Sequence, residues 1–394
     1  MVKKFLYLLD ATRPYQLIFC ICGIAPFPMA TEAALNCVLF AAAVYIYKIL
    51  LTAVTLFAAY ERCRYVSIHN SSNNDYLTHG LMFAQFITLT IIHSIMQGIV
   101  FFKYNELKRI LFNVIEIEQH SLHISNSNKM HQFCSRITFK RQLLCVSGLM
   151  LITILTTPLM TVYSYISDVI PVYQWIISVF SEMAIRCKSV EFCVLVQVFN
   201  ELLSELFICM DELQEKFSNN SRSVNFFTER LILQRRIVVI KNIQAKIWKT
   251  VNEFTDYFSL TILCQFVWNG VTITNIIYWV YVKFNEESVF VNISRMCRIA
   301  FLLLDILVPC YLCDVCIETY GKIVRNIHDF KPNETDILLK LCLREYSLQL
   351  THQKLEFSCG GYFNINLQCF GEIVLAITTY IVILIQFKLQ GDKR

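Results

Sequence analysis

The chain has 394 residues, of which 56% are hydrophobic and only 16% charged, with a net charge of +5. Soluble domains carry about 25% charged residues, so this composition excludes an ordinary water-soluble enzyme, and no block of Lys and Arg points to nucleic acid. With a mean hydropathy of +0.50, long apolar runs and only 10 Gly and 7 Pro, the chain reads as an all-α membrane protein, because an apolar segment in lipid satisfies its own backbone by forming a helix.

Taken from the N-terminus, residues 15–29 are apolar but contain Pro26 and Pro28 and are too short to cross, and Asp10, Arg13 and Pro14 interrupt their approach. They read as a re-entrant or interfacial segment. A spanning helix needs about 20 mostly apolar residues, a length met at 35–59, 79–102 and 143–166. The stretch 175–203 is a weaker span, broken by Glu182, Arg186, Lys188 and Glu191, which either mark its outer end or face a polar cavity. Next, Leu233, Ile237, Ile240, Ile247, Val251 and Phe254 recur at helical spacing among basic side chains, so 228–254 is an amphipathic helix. It runs without Gly or Pro into a span at 257–282. A continuous helix of about 55 residues is roughly 80 Å long, against a bilayer core of about 30 Å. Much of it must stand in the cytoplasm, with its apolar stripe on another helix of this chain or of a neighbour. Spans follow at 297–317 and 366–388, separated by a second amphipathic stretch, 334–356, whose stripe holds Ile337, Leu338, Leu341, Tyr346 and Leu350.

Seven spans with the N-terminus inside put 24 basic residues in the cytoplasmic pieces and about 8 outside, in keeping with the positive-inside rule. The chain then divides into a cytoplasmic N-terminal segment (1–33), transmembrane helices 1–4 (34–205), a cytoplasmic helical extension (206–256), transmembrane helices 5–6 (257–318), a cytoplasmic helical anchor (319–365), and a seventh helix with a short outer tail (366–394). Sequons at Asn70 and Asn292 fall outside and are candidate glycosylation sites. Cys310, Cys313 and Cys316 share a helix face, but no His lies within four residues and no second Cys pair stands at zinc spacing. They read as apolar packing, and no metal or cofactor is expected.

Several intramembrane polar groups stand out. Asp305 lies midway along its span, where a lone carboxylate is expensive and needs a partner or water. Arg298, seven residues earlier, is about 10 Å along the same helix, too far for a direct pair. Trp268, Asn269, Thr272, Asn275, Tyr278 and Trp279 give the span 257–282 an amphipathic outer half. Aromatics with scattered hydrogen-bonding groups suit a small organic ligand, and these residues with Arg298 and Asp305 are the candidate ligand contacts. Tyr278 and Trp279 equally suit an interfacial aromatic belt. In the last span Glu372, Thr379 and Gln386 recur every seven residues, a step that drifts only about 20°, so they form one polar stripe with Leu375 and Val382 between them. On an apolar helix such a stripe faces protein or water.

The run Thr379-Tyr380-Ile381-Val382-Ile383-Leu384-Ile385-Gln386-Phe387 matches at every position the signature of insect gustatory receptors, a Thr-Tyr pair and a Gln-Phe pair around five apolar residues. The upstream stretches Glu345–His352 and Phe357–Ile365, Val251-Asn252-Glu253-Phe254 and Gly23-Ile24-Ala25-Pro26-Phe27 also resemble that family, in layout across the chain and most specifically near its C-terminus. The resemblance implies a ligand-gated, non-selective cation channel in the plasma membrane of a sensory neuron dendrite, glycosylated and assembled as a homotetramer or as a heteromer with related receptors. Its partners would be a small organic tastant, the permeating cations and the bilayer, with no nucleic acid. Each subunit's last span would line the pore, with Glu372, Thr379, Tyr380 and Val382 along it and Gln386 and Phe387 at the gate. Ile381 stands where the family's sugar receptors usually carry Glu, which favours a non-sugar, bitter-type tastant. A G-protein-coupled receptor would reverse the charge bias and show an Asp-Arg-Tyr triplet after span 3. A transporter would show internal repeats and broken helices.

Overall fold

The computed structural model describes residues 76–124, 138–148, 172–219, 226–284, 288–330 and 337–391, with scattered positions between 11 and 64 and residue 152. Among these the fold is helical, with one isolated antiparallel bridge, Ser358 to Asn364. The helices are α1 (Tyr76–Phe102), α2 (Tyr104–Ile124), α3 (Val172–Asn219), α4 (Phe226–Lys283), α5 (Val289–Asp329), α6 (Ile337–His352) and α7 (Leu367–Gly391). A further helical piece covers 138–148. All but α2, α6 and that piece are long and apolar enough to cross a membrane. The expected spans at 79–102, 175–203, 257–282, 297–317 and 366–388 fall within α1, α3, α4, α5 and α7. Those at 35–59 and 143–166 lie largely outside the described residues, as does most of the segment 15–29.

The over-long helix is continuous. α4 has 58 residues, about 87 Å at 1.5 Å per residue. Its stripe finds partners within this chain: Ile237, Ile240, Ile247, Val251 and Phe254 are all buried. α2 packs along it, and Arg109 Nε lies 3.3 Å from Glu253 while Lys246 pairs with Glu116. The Lys246 ammonium holds the Glu116 carboxyl below the usual carboxylate range. An aromatic knot joins α3 to α4: the rings of Phe192 and Phe199 sit 5.1 and 5.2 Å from that of Phe254, which lies 4.7 Å from Phe258. Such pairs add directional preference to their large apolar burial. Cys310, Cys313 and Cys316 are fully buried in the main apolar cluster.

α6 is not a single apolar stripe. Tyr346 and Leu350 are buried within the subunit, whereas Ile337, Leu338 and Leu341 point outward. A tight loop carries the chain from α6 to α7. Gly360 and Gly361 take φ of +60° and +79°, a region in which a side chain is strained. The loop is fastened to α4, with the Cys359 thiol 2.9 Å from the Ser259 carbonyl oxygen, the Trp248 indole N–H donating to the Lys354 carbonyl at 2.9 Å, and Phe363 stacked on Phe266. α7 itself rests on α4 and α5. Gly270 of α4 faces it, where a Cβ would make an ordinary van der Waals contact with Ile377 at 3.8 Å.

Candidate functional site

Two places carry the polar residues singled out in the sequence. The first is the interior of the bundle between α1, α3, α4 and α5. Asp305 and Arg298 are both buried there, and neither pairs with the other. Arg186 of α3 makes an ion pair with Asp305 and a 3.1 Å bond to Glu182, and Arg298 reaches Glu182 at 3.3 Å. The result is an alternating network of two carboxylates and two guanidiniums joining α3 to α5. Two residues on from Arg186, the buried Lys188 ammonium lies 2.5 Å from Glu191 and 3.1 Å from the Tyr257 hydroxyl, with the Phe258 ring centroid at 4.8 Å. The charges of α3 therefore neither mark its end nor stand free in a cavity; they are paired inside the protein, as a low-dielectric setting demands. Glu182 and Arg186 are partners that the sequence flagged without assigning. The available signal was two adjacent turns of charge in a span otherwise apolar enough to be buried.

Pro309 shapes the same region. Lacking an N–H, it leaves the carbonyl four residues back without its helical bond. That carbonyl belongs to Asp305, and the Gln265 side chain of α4 donates to it at 3.4 Å. From Gln265 a polar face runs up α4. Asn275 donates to Gln85 of α1 at 3.1 Å. Trp268, Asn269, Thr272 and Tyr278 are all buried, and Trp268 packs with Leu89, Ile92 and Met96 of α1 and Ile185 of α3. Trp279 is half-buried, with the Lys283 ammonium 4.8 Å over its ring, the arrangement of an interfacial anchor. Tyr278, at 1% exposure, is not part of such a belt.

The second place is α7. Only 6% of its apolar stretch is buried within the subunit. Cys369 and Ile377 face the bundle and are buried, while Glu372, Leu375, Thr379, Val382 and Gln386 form the opposite, exposed face. The Gln368 amide steadies the Glu372 carboxylate at 2.9 Å, and the Thr379 hydroxyl donates to the Leu375 carbonyl at 3.0 Å. Tyr380 and Phe387 are exposed too, but at 100° per residue they share a separate line to one side of the Glu372–Gln386 stripe. Of the two sequons, Asn292 lies in the first turn of α5 and donates to the Phe284 carbonyl at 3.4 Å. Asn70 lies outside the described residues.

This architecture is that of known receptors. The family model for the 7tm chemosensory receptors matches residues 12–391. The chain belongs to that family. As a 7tm chemosensory receptor it is a sensory membrane protein and not an enzyme. It is 33% identical over 267 residues to gustatory receptor 98b of Drosophila melanogaster, covering 65% of this chain and 63% of that protein, just under two thirds of the relative's length. It is 27% identical to gustatory receptor 98c of the same fly, covering 70% and 67%. Its fold is that of the insect olfactory receptor OR5 from Machilis hrabei, with a TM-score of 0.72 over 97% of this chain and 99% of the other at 13% identity. The same receptor in complex with eugenol gives a TM-score of 0.73 at 14% identity. Seven-helix receptor architecture is thus common to chemosensory receptors whose sequences have drifted far apart.

Proposed function

We propose that this chemosensory receptor is a taste receptor for a non-sugar, bitter-type compound and acts as a ligand-gated, non-selective cation channel, with several copies, four in the simplest assembly, arranged around α7. The observation that carries the reading is the state of α7. α7 leaves one face uncovered by its own subunit, and that face bears Glu372, Thr379 and Gln386 at seven-residue spacing. Lipid is a poor neighbour for such a stripe, whereas a shared aqueous axis suits it. A ring of Glu372 carboxylates would draw in cations and repel anions. Gln386 and Phe387 lie about 100° apart on the helix, and the axis would fall between them, with Gln386, Phe387 and Tyr380 forming the narrow outer part.

The tastant would enter the bundle from the outer side and touch α4, and the loop clamped between α4 and α7 would pass its effect to the pore. The receptor would sit in the plasma membrane of a sensory dendrite with its N-terminus inside, as its distribution of basic residues favours. Patch recording from cells expressing the chain tests the proposal. Glu372→Gln should lower cation conductance, most at low salt where screening is weakest. Phe387→Ala should open the channel without ligand if an apolar constriction closes it by dewetting. Unchanged conductance in the first variant and tight closure in the second would remove both residues from the pathway.

A further inference from the structure

The joint between α5 and α7 brings two thiols together. Cys310 of α5 and Cys369 of α7 are both free and buried, at 0% and 4% exposure, and they are hydrogen-bonded to each other. Neighbouring cysteines use their thiols differently: Cys193 bonds the Ser189 side chain, and Cys359 donates to the Ser259 carbonyl. A short polar side chain in a helix can also donate to a carbonyl one turn back, as Thr378 and Thr379 of α7 do at 2.9 and 3.0 Å. Cys310 and Cys369 meet sulfur to sulfur instead, across two helices.

Their positions suit a reaction between them. Cys369 stands in the first turn of α7, where its N–H donates to the Asn366 side chain at 2.9 Å. Gln368 and Glu372 beside it on the same helix are exposed, so the pair lies just beneath the surface at the N-terminal end of α7. Sulfurs in hydrogen-bond contact must still close to about 2.05 Å to form a bond. Pro309, next to Cys310, removes a rung of the α5 ladder and lets that helix bend where the adjustment is needed.

We propose that Cys310 and Cys369 are a modification site for hydrogen peroxide, which joins them in a reversible disulfide that clasps the N-terminal end of α7 to α5. Peroxide is uncharged and little larger than water, so it suits a site with so little exposure. The Cys369 sulfur attacks one peroxide oxygen, the O–O bond breaks, and a sulfenic acid forms with release of one water. The Cys310 sulfur attacks the sulfenic sulfur, the S–O bond breaks, and the hydroxyl leaves as a second water with the thiol proton. Peroxide takes two electrons, and both thiol hydrogens end in water. A dithiol reductant reverses the bond by exchange. Cys369 and Ile377 are the residues of α7 buried against its own subunit, so a covalent link at the first holds that end of the helix in place. The proposal goes beyond the channel reading and does not depend on it, because its test draws on no current.

The full chain in lipid nanodiscs is treated with hydrogen peroxide, remaining thiols are blocked with N-ethylmaleimide, and the peptides are mapped by mass spectrometry without reduction. A peptide pair linked through Cys310 and Cys369 should appear, and dithiothreitol before blocking should abolish it. Oxidation should raise the unfolding temperature by a few degrees in the unsubstituted protein, because a cross-link restricts the unfolded chain. It should not do so in Cys369→Ser or Cys310→Ala. Should either variant fail to fold, the peptide map of the unsubstituted protein still decides. Both thiols free after peroxide, a sulfinic acid at Cys369, or a link from Cys369 to Cys313 or Cys359 would overturn the assignment and leave the pair as apolar packing. A link that leaves the unfolding temperature unchanged would overturn the clasp.

Discussion

Arg186 stands at the centre of the buried network, shared between Asp305 on one helix and Glu182 on its own. Removing one member of a buried pair strands the other charge in a medium that cannot solvate it. Asp305→Ala should therefore destabilise the protein by about 3–5 kcal/mol, read as a fall in thermal unfolding temperature in mild detergent. The double variant Arg186→Met with Asp305→Leu should recover much of that loss, because it removes both charges and fills their volume. If the double variant instead loses the sum of the two single losses, the residues are not coupled. The sequence flagged Asp305 as expensive and placed Arg298 too far along the helix to pair with it, and the structure agrees. Their true partners were not legible, because α3 and α5 face each other across more than a hundred residues, and no spacing rule along the chain encodes such a meeting.

At the scale of the element, α6 shows how a periodic pattern can be read correctly and still be divided. Its apolar positions are at helical spacing, but a helix 16 residues long lying on the rim of the bundle can be covered on two sides. Leu350 is 3% exposed and Leu341 is 55% exposed. Leu350→Asp should lower the stability of the subunit itself, since it places a carboxylate in the core. Leu341→Asp should leave the subunit folded and weaken assembly, if the groove it lines with Val238, Leu338 and Leu348 is filled by a second copy. Native mass measurement after mild extraction separates the two. Equal loss of assembled species from both variants, with normal subunit stability, would mean that the two residues act on one interface. By contrast, α4 was legible almost in full, because an apolar stripe that enters its span without Gly or Pro leaves few alternatives to one continuous helix.

For the molecule as a whole, the composition alone excluded most functions, and the Gln-Phe signature narrowed the rest to one receptor family. Sidedness is the property most exposed to test. Epitope tags on intact cells should be silent at the N-terminus and stain at the C-terminus, and the reverse pattern would turn the bundle over and place Glu372 at the outer mouth. The charge network also bears on how this receptor is made. Within α3, Glu182 pairs with Arg186 and Lys188 with Glu191 at one-turn spacing, so the helix can neutralise itself as it leaves the ribosome. In α5, Arg298 and Asp305 do not reach each other, and a carboxylate midway along a span, as Asp305 is, costs about 2.5–3.5 kcal/mol to insert alone. The order of synthesis resolves this, because α3 is already in the bilayer when α5 emerges and presents the complementary charges. α3 acts as a template within the chain for the insertion of α5, and a permuted gene encoding α5 first should give a receptor that is degraded before it reaches the surface.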